Sequence, residues 1–62
     1  MKLTLRQLRL SKEISQDKMA NILNVHRATY VNLEKNPGKI SIEQAKKISD
    51  YLEVSVDDIF FN

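Results

Sequence analysis

The chain is small, free of cysteine and slightly basic. Its 62 residues make one domain at most, and without cysteine they can form neither a disulfide framework nor a thiolate metal site. One Gly and one Pro against 42% hydrophobic residues exclude a disordered or turn-rich all-β chain and leave room for a helical core. The net charge of +2 is uneven, because residues 1–40 carry eight Lys or Arg and three acids, whereas residues 41–62 carry two and five. This imbalance indicates a negatively charged partner at one end, although a solvated surface of mixed charge produces the same pattern.

Two short helices open the predicted fold. Thr4 is a candidate N-cap for a first helix that runs to about residue 12. Ser15 is a candidate N-cap for a second helix over about residues 16–23, and Asp17 in its first turn complements the helix dipole.

A turn and a third helix complete the most informative segment, residues 16–35. Asn24 is the best candidate for a left-handed residue, because Asn tolerates a positive φ better than most residues. The third helix is predicted over about residues 27–35. The apolar or small residues of the first three helices are predicted to face inward, at Leu5, Leu8, Met19, Ala20, Ile22, Leu23, Val25, Tyr30 and Leu33.

The remaining third of the chain also reads as helical. The segment 36–38, Asn-Pro-Gly, is the clearest break in the chain. Ser41 and Gln44 have the spacing of a capping box that opens a fourth helix. We expect a buried stripe there, at Ala45, Ile48 and Leu52, with Ile42 near its start. Ser55 is a candidate cap for a fifth helix from 56 to about 60, and a strand in that place would have nothing to pair with. The fold is predicted to be all-α.

Six groups of residues keep a characteristic order and spacing: Leu8-Arg9, Ser15-Gln16, Met19-Ala20, Val25, Leu33-Glu34 and the segment 52–60. Together they resemble the phage repressor and Cro-like helix-turn-helix domains, the Xre family. The resemblance implies one compact five-helix, lambda-repressor-like domain over residues 1–62, with its helix-turn-helix at about 16–35. It also implies an ion pair between Arg9 and Glu34. Two residues depart from the family pattern, Glu13 and Asn24, which stand where Gly is usual.

The same resemblance places the third helix in the major groove of double-stranded DNA. Its candidates for reading bases are Arg27, Ala28, Asn32 and His26. Arg27 can donate two hydrogen bonds to guanine, Asn32 can pair with adenine, and Ala28 can accept a thymine methyl group. A phosphate contact for Arg27 and plain solvent exposure for Asn32 stay open. His26 is either a DNA contact or an imperfect helix cap.

Contacts with phosphates and with a second copy of the chain follow from the same comparison. The candidates for phosphate contacts are Gln16, Lys35, Asn36 and Lys39, with Arg6 and Lys18 as further cations. The family usually binds a pseudopalindromic operator as a homodimer, and the candidate dimer contacts are Ile59, Phe60 and Phe61.

The predicted function is sequence-specific DNA binding by a transcriptional regulator, of the phage or prophage repressor type. The alternative is an antitoxin that neutralises a toxin protein and also binds its own promoter. The sequence contains no plausible catalytic cluster, and the lone His26 lacks the partners of a metal site, so we expect no enzyme, no cofactor and no small-molecule substrate. No apolar run approaches the roughly 18 residues of a membrane span, and we expect a cytoplasmic protein without a signal peptide.

Overall fold

A computed structural model describes residues 3–60 of the chain, with the backbone alone at residue 60. The elements follow in the order α1 (Leu5–Ser11), α2 (Gln16–Leu23), α3 (Arg27–Lys35), a 3-10 turn (Pro37–Lys39), α4 (Ile42–Leu52) and α5 (Val56–Phe60). The described residues contain no β-strand, so the all-α prediction is confirmed. Within the same residues, no helix combines the length and the apolar character that crossing a membrane requires.

Hydroxyl side chains begin four of the five helices, as predicted. The side chains of Thr4, Ser15, Ser41 and Ser55 each accept a hydrogen bond from a backbone N–H in the first turn of the following helix, at 3.0–3.3 Å. Ser41 forms the predicted capping box with Gln44. Thr4 forms a second capping box, because the side chain of the residue three positions on, a glutamine, accepts from the Thr4 N–H at 2.8 Å. These caps fix where each helix starts.

Within residues 3–60, three residues other than glycine adopt a left-handed backbone. Asn24 ends α2 with φ of 58°, as predicted. Glu13, for which the resemblance implied a Gly, has φ of 56°, and Glu53 ends α4 with φ of 58°. A carboxylate side chain gains nothing from this conformation, so both glutamates hold local backbone strain. The strain at Glu53 was not predicted.

One apolar core holds the helices together. Among the described residues, eleven hydrophobic residues have at most 8% of their surface exposed: Leu5, Met19, Ala20, Leu23, Tyr30, Leu33, Ile40, Ala45, Ile48, Leu52 and Ile59. Helix α2 packs against both α3 and α4, while α5 packs against α4 and the 3-10 turn. Because α2 packs against both α3 and α4, the core fixes the angle between α2 and α3.

The burial pattern of the fourth helix differs from the sequence-based expectation at one residue. Ala45, Ile48 and Leu52 are fully buried as predicted, but Ile42 is 65% exposed. Ile42 is the first residue of α4 and lies at the end of the helix rather than along its packed length. Ser49 completes the buried stripe instead, and its hydroxyl donates to the carbonyl of Lys46 at 2.9 Å, which satisfies the group locally.

Candidate nucleic-acid interface

A buried ion pair joins the first helix to the end of the third. Arg9 Nε lies 2.8 Å from Glu34 Oε2, and Arg9 Nη2 donates to Glu34 Oε1 at 3.2 Å. The remaining arm of the guanidinium donates to the carbonyl oxygen of Ile14 at 2.7 Å. Only 7% of the Arg9 side chain and 4% of the Glu34 side chain are exposed. The pair that the resemblance implied is therefore present, and it connects α1, the loop before α2, and α3.

Burial and hydrogen bonding set the charge states of this cluster. Burial by itself would raise the pKa of the Glu34 carboxyl, but hydrogen bonds from Arg9 and its neighbours outweigh that effect and hold the pKa below its ordinary value. The hydrogen bond to Glu34 raises the pKa of Arg9. The Tyr30 hydroxyl beside them is buried without a hydrogen bond of regular geometry, and burial raises the pKa of Tyr30. The cluster thus contains an ionised pair and a neutral phenol.

Gln16 connects the buried pair to the outer surface. Its amide nitrogen donates to Glu34 Oε1 at 3.3 Å, so its amide oxygen must point the other way. That oxygen accepts a hydrogen bond from Arg27 Nη2 at 3.5 Å. Arg27 Nε also lies 3.4 Å from Asp17 Oδ1. The first two residues of α2 therefore contact the first residue of α3.

The outward face of α3 carries the predicted base-reading residues. Residues three and four apart lie on one side of a helix, and here that side comprises Arg27, Ala28, Val31, Asn32 and Lys35. All are exposed except Val31, which is half-buried, while the buried Tyr30 and Leu33 lie on the other side. Val31 was missed by the sequence analysis. Its position four residues after Arg27 would have identified it.

His26 lies at the start of the same helix. It occupies the N-cap position, with extended backbone and an exposed side chain, but that side chain makes no capping hydrogen bond. Its backbone carbonyl accepts the first helical bond, from Tyr30 N at 3.1 Å. The imidazole is therefore an exposed group at the amino end of α3, next to Arg27.

The other predicted contact residues surround this face. Lys35, Asn36 and Lys39 are exposed, and the Asn36 amide donates to the carbonyl of Asn32 at 3.3 Å. A cavity of about 290 Å³ opens between α1, α2 and α3, and its lining comprises Thr4, Arg6, Gln16, Val31, Glu34 and Lys35. Arg6 and Lys35 place positive charge at this cavity, whereas the side chain of Gln16 is engaged with Glu34 and Arg27.

The predicted dimer contacts are placed differently. Ile59 has no exposed surface, because it packs into the core from α5, so its assignment to a dimer interface is corrected to a core role. The side chain of Phe60 and all of Phe61 lie outside the described residues.

Comparison with known proteins identifies the family. A family model described as helix-turn-helix, of the Cro/C1 or Xre-like type, matches residues 5–59. No curated protein and no solved structure gave a significant match. The matched range covers all five helices except the last residue of α5, and it includes α2 and the exposed face of α3. The chain belongs to the Cro/C1-type helix-turn-helix family, whose members are DNA-binding transcription regulators.

Proposed function

We propose that the chain is a transcriptional repressor of the phage or prophage type. It acts by occupying an operator and excluding polymerase from it. The observation that carries this proposal is the outward face of α3, where Arg27, Ala28, Val31 and Asn32 lie opposite the buried residues of the same helix. A helix presented in this way fits the major groove, with the residues near its amino end against the base edges.

Each side chain on this face has a distinct role in the proposal. Arg27 donates to O6 and N7 of a guanine, and Asn32 pairs with an adenine. Ala28 and Val31 offer apolar surface to thymine methyl groups. His26, exposed at the start of α3, contacts a base edge or a nearby phosphate. The order of these residues along α3 would set the order of the preferred bases.

Residues around the face supply phosphate contacts. Lys35, Asn36 and Lys39 are exposed beside the carboxyl end of α3, and Gln16 begins α2, where the first backbone N–H groups have no partner within the helix. Arg6 adds a cation at the cavity next to Gln16. Such contacts fix the register of α3 on the duplex without reading the sequence.

The operator in this proposal is pseudopalindromic and binds a homodimer. One copy of α3 reads only a few base pairs, whereas two copies related by a two-fold axis read half-sites about 34 Å apart, roughly one turn of DNA. Since Ile59 is buried in the core, the dimer contact that we propose uses Phe60 and Phe61.

Selection of bound duplexes from a random pool tests the proposal, followed by footprinting of the enriched site. We expect one enriched sequence with two related halves, protected over two successive turns of one DNA face. Analytical ultracentrifugation of the complex should show two chains on each site. Retention of DNA without an enriched sequence would contradict the proposal.

A further inference from the structure

Arg27 is held by two residues of the preceding helix. Its Nε lies 3.4 Å from the Asp17 carboxylate, and its Nη2 donates to Gln16 Oε1 at 3.5 Å. Both contacts are long, and 65% of the Arg27 side chain and 72% of the Asp17 side chain are exposed. An exposed pair of this kind adds little to folding stability. Its main effect is on the orientation of the Arg27 guanidinium.

Both contacts are made by one edge of the planar Arg27 guanidinium, which has two edges that can donate hydrogen bonds. Arginine carries five N–H donors in a fixed fork, and here Nε and Nη2 face α2. Nη1 has no protein partner in the described part of the chain, so Nη1 and the second hydrogen of Nη2 form the unoccupied edge. The Gln16 side chain cannot easily rotate away from Arg27, because its amide nitrogen is hydrogen-bonded to the buried Glu34.

We propose that Asp17 is a positioning residue that sets base specificity, by holding the guanidinium of Arg27 with its Nη1–Nη2 edge toward a guanine. The inference rests on the proposed function, in which Arg27 reads a guanine in the major groove. Asp17 also places a negative charge on a surface that approaches phosphates, which weakens binding to every sequence. The net effect of Asp17 is lower affinity for DNA in general and sharper preference at one base pair.

The chain offers a matched control for the change in charge. Asp50 in α4 is exposed like Asp17, and the described residues show no ion pair for it. Asp17→Asn and Asp50→Asn therefore change the net charge equally, but only the first removes the contact with Arg27. Thermal unfolding of both variants identifies any loss of folding that follows from the helix dipole at Asp17.

The experiment measures affinity for the selected operator and for a duplex with the guanine opposite Arg27 replaced. We expect Asp17→Asn to reduce the ratio of the two affinities by about 1.4- to 5-fold, the range for one exposed ion pair, and to strengthen binding to unrelated DNA. Asp50→Asn should leave the ratio unchanged. In an Arg27→Ala background, Asp17→Asn should no longer change the ratio.

The outcomes separate the positioning role from the proposed function. If Arg27→Ala lowers the ratio but Asp17→Asn behaves like Asp50→Asn, the positioning role is overturned while the proposed function stands. If Arg27→Ala leaves the ratio unchanged, then the assignment of Arg27 as a base-reading residue fails first, and the role of Asp17 fails with it.

Discussion

Substitution of Glu34 should cost a large part of the stability of this domain. Glu34→Gln removes one charge of a buried pair and leaves the Arg9 guanidinium without its partner, in a place where only 7% of its side chain is exposed. Breaking such a pair typically costs about 3–5 kcal/mol, a large part of the total stability of a small domain. Urea unfolding followed by circular dichroism measures this loss.

A double variant shows whether charge or packing causes the loss. Arg9→Met with Glu34→Leu removes both buried charges and keeps apolar volume, so it should recover most of the free energy of unfolding. Wild-type stability in Glu34→Gln, or a double variant as unstable as the single one, would contradict this explanation.

The same carboxylate should make the protein sensitive to acid. Because its pKa is lower in the folded chain, the ionised form contributes stability that is fully present above about pH 4.5, its ordinary value. That contribution disappears as the pH falls through the folded pKa. Between about pH 6 and pH 3, the wild-type chain should therefore lose more stability than the double variant. Equal losses in the two chains would show that Glu34 is not responsible.

The residue-scale predictions from sequence succeeded where one helix decided the outcome. Exposure of Arg27, Ala28 and Asn32 follows from helical spacing alone, and all three are exposed. Asp17 was interpreted only as a helix-dipole residue, because its contact with Arg27 depends on the angle between α2 and α3. That angle is set by core packing, which sequence spacing within either helix does not encode.

At the scale of elements, the backbone is strained after two helices, and a glycine substitution should relieve this strain. Glu53→Gly and Glu13→Gly should each stabilise the chain by about 1 kcal/mol, because glycine adopts a positive φ without the steric cost. Asn24→Gly is the control, and its effect should be smaller, since Asn tolerates this conformation. Thermal unfolding should show an increase of roughly 4–8 °C for each glutamate variant. A larger gain at Asn24 than at either glutamate would contradict the explanation.

The bounds of the elements were largely predictable because their signals are local. Ser15, Ser41 and Ser55 stand directly before helical apolar patterns, and each caps its helix. The break at residues 36–38 was predicted, but its 3-10 turn was not. Pro37 at the first position suits a short helical turn, which the sequence does not distinguish from an irregular loop. The exposure of Ile42 was missed because a repeat pattern does not show where packing ends.

At the scale of the whole molecule, binding should depend on ionic strength through the residues that contact phosphate. Lys39→Ala should weaken binding to all sequences about equally and reduce the slope of log affinity against log salt by about 1. Lys47→Ala removes the same charge from the exposed part of α4 and should leave the slope unchanged. Fluorescence anisotropy titrations at several salt concentrations measure both slopes. An equal change in the two variants would exclude Lys39 as a phosphate contact.

Among the candidate dimer contacts, Ile59 is the residue whose burial the sequence did not predict. Apolar residues near the carboxyl end were assigned to a dimer contact, yet Ile59 completes the core of its own chain. In a small domain, composition does not distinguish apolar side chains that fill the core from those that remain exposed, so an interface residue is hard to recognise from it. The exposed side of α3 was more predictable, because polar residues on one face of a helix have no place in the core.

The central claim is that α3 reads DNA through Arg27. Its most direct test is the affinity of the chain and of Arg27→Ala for the selected operator and for each single-base variant of one half-site. We predict that Arg27→Ala loses about 1–3 kcal/mol on the operator and loses its preference at one guanine, with the other positions ranked as before. An Arg27→Ala variant that is folded by circular dichroism, binds as tightly as the original chain and keeps the same base preferences would contradict the claim.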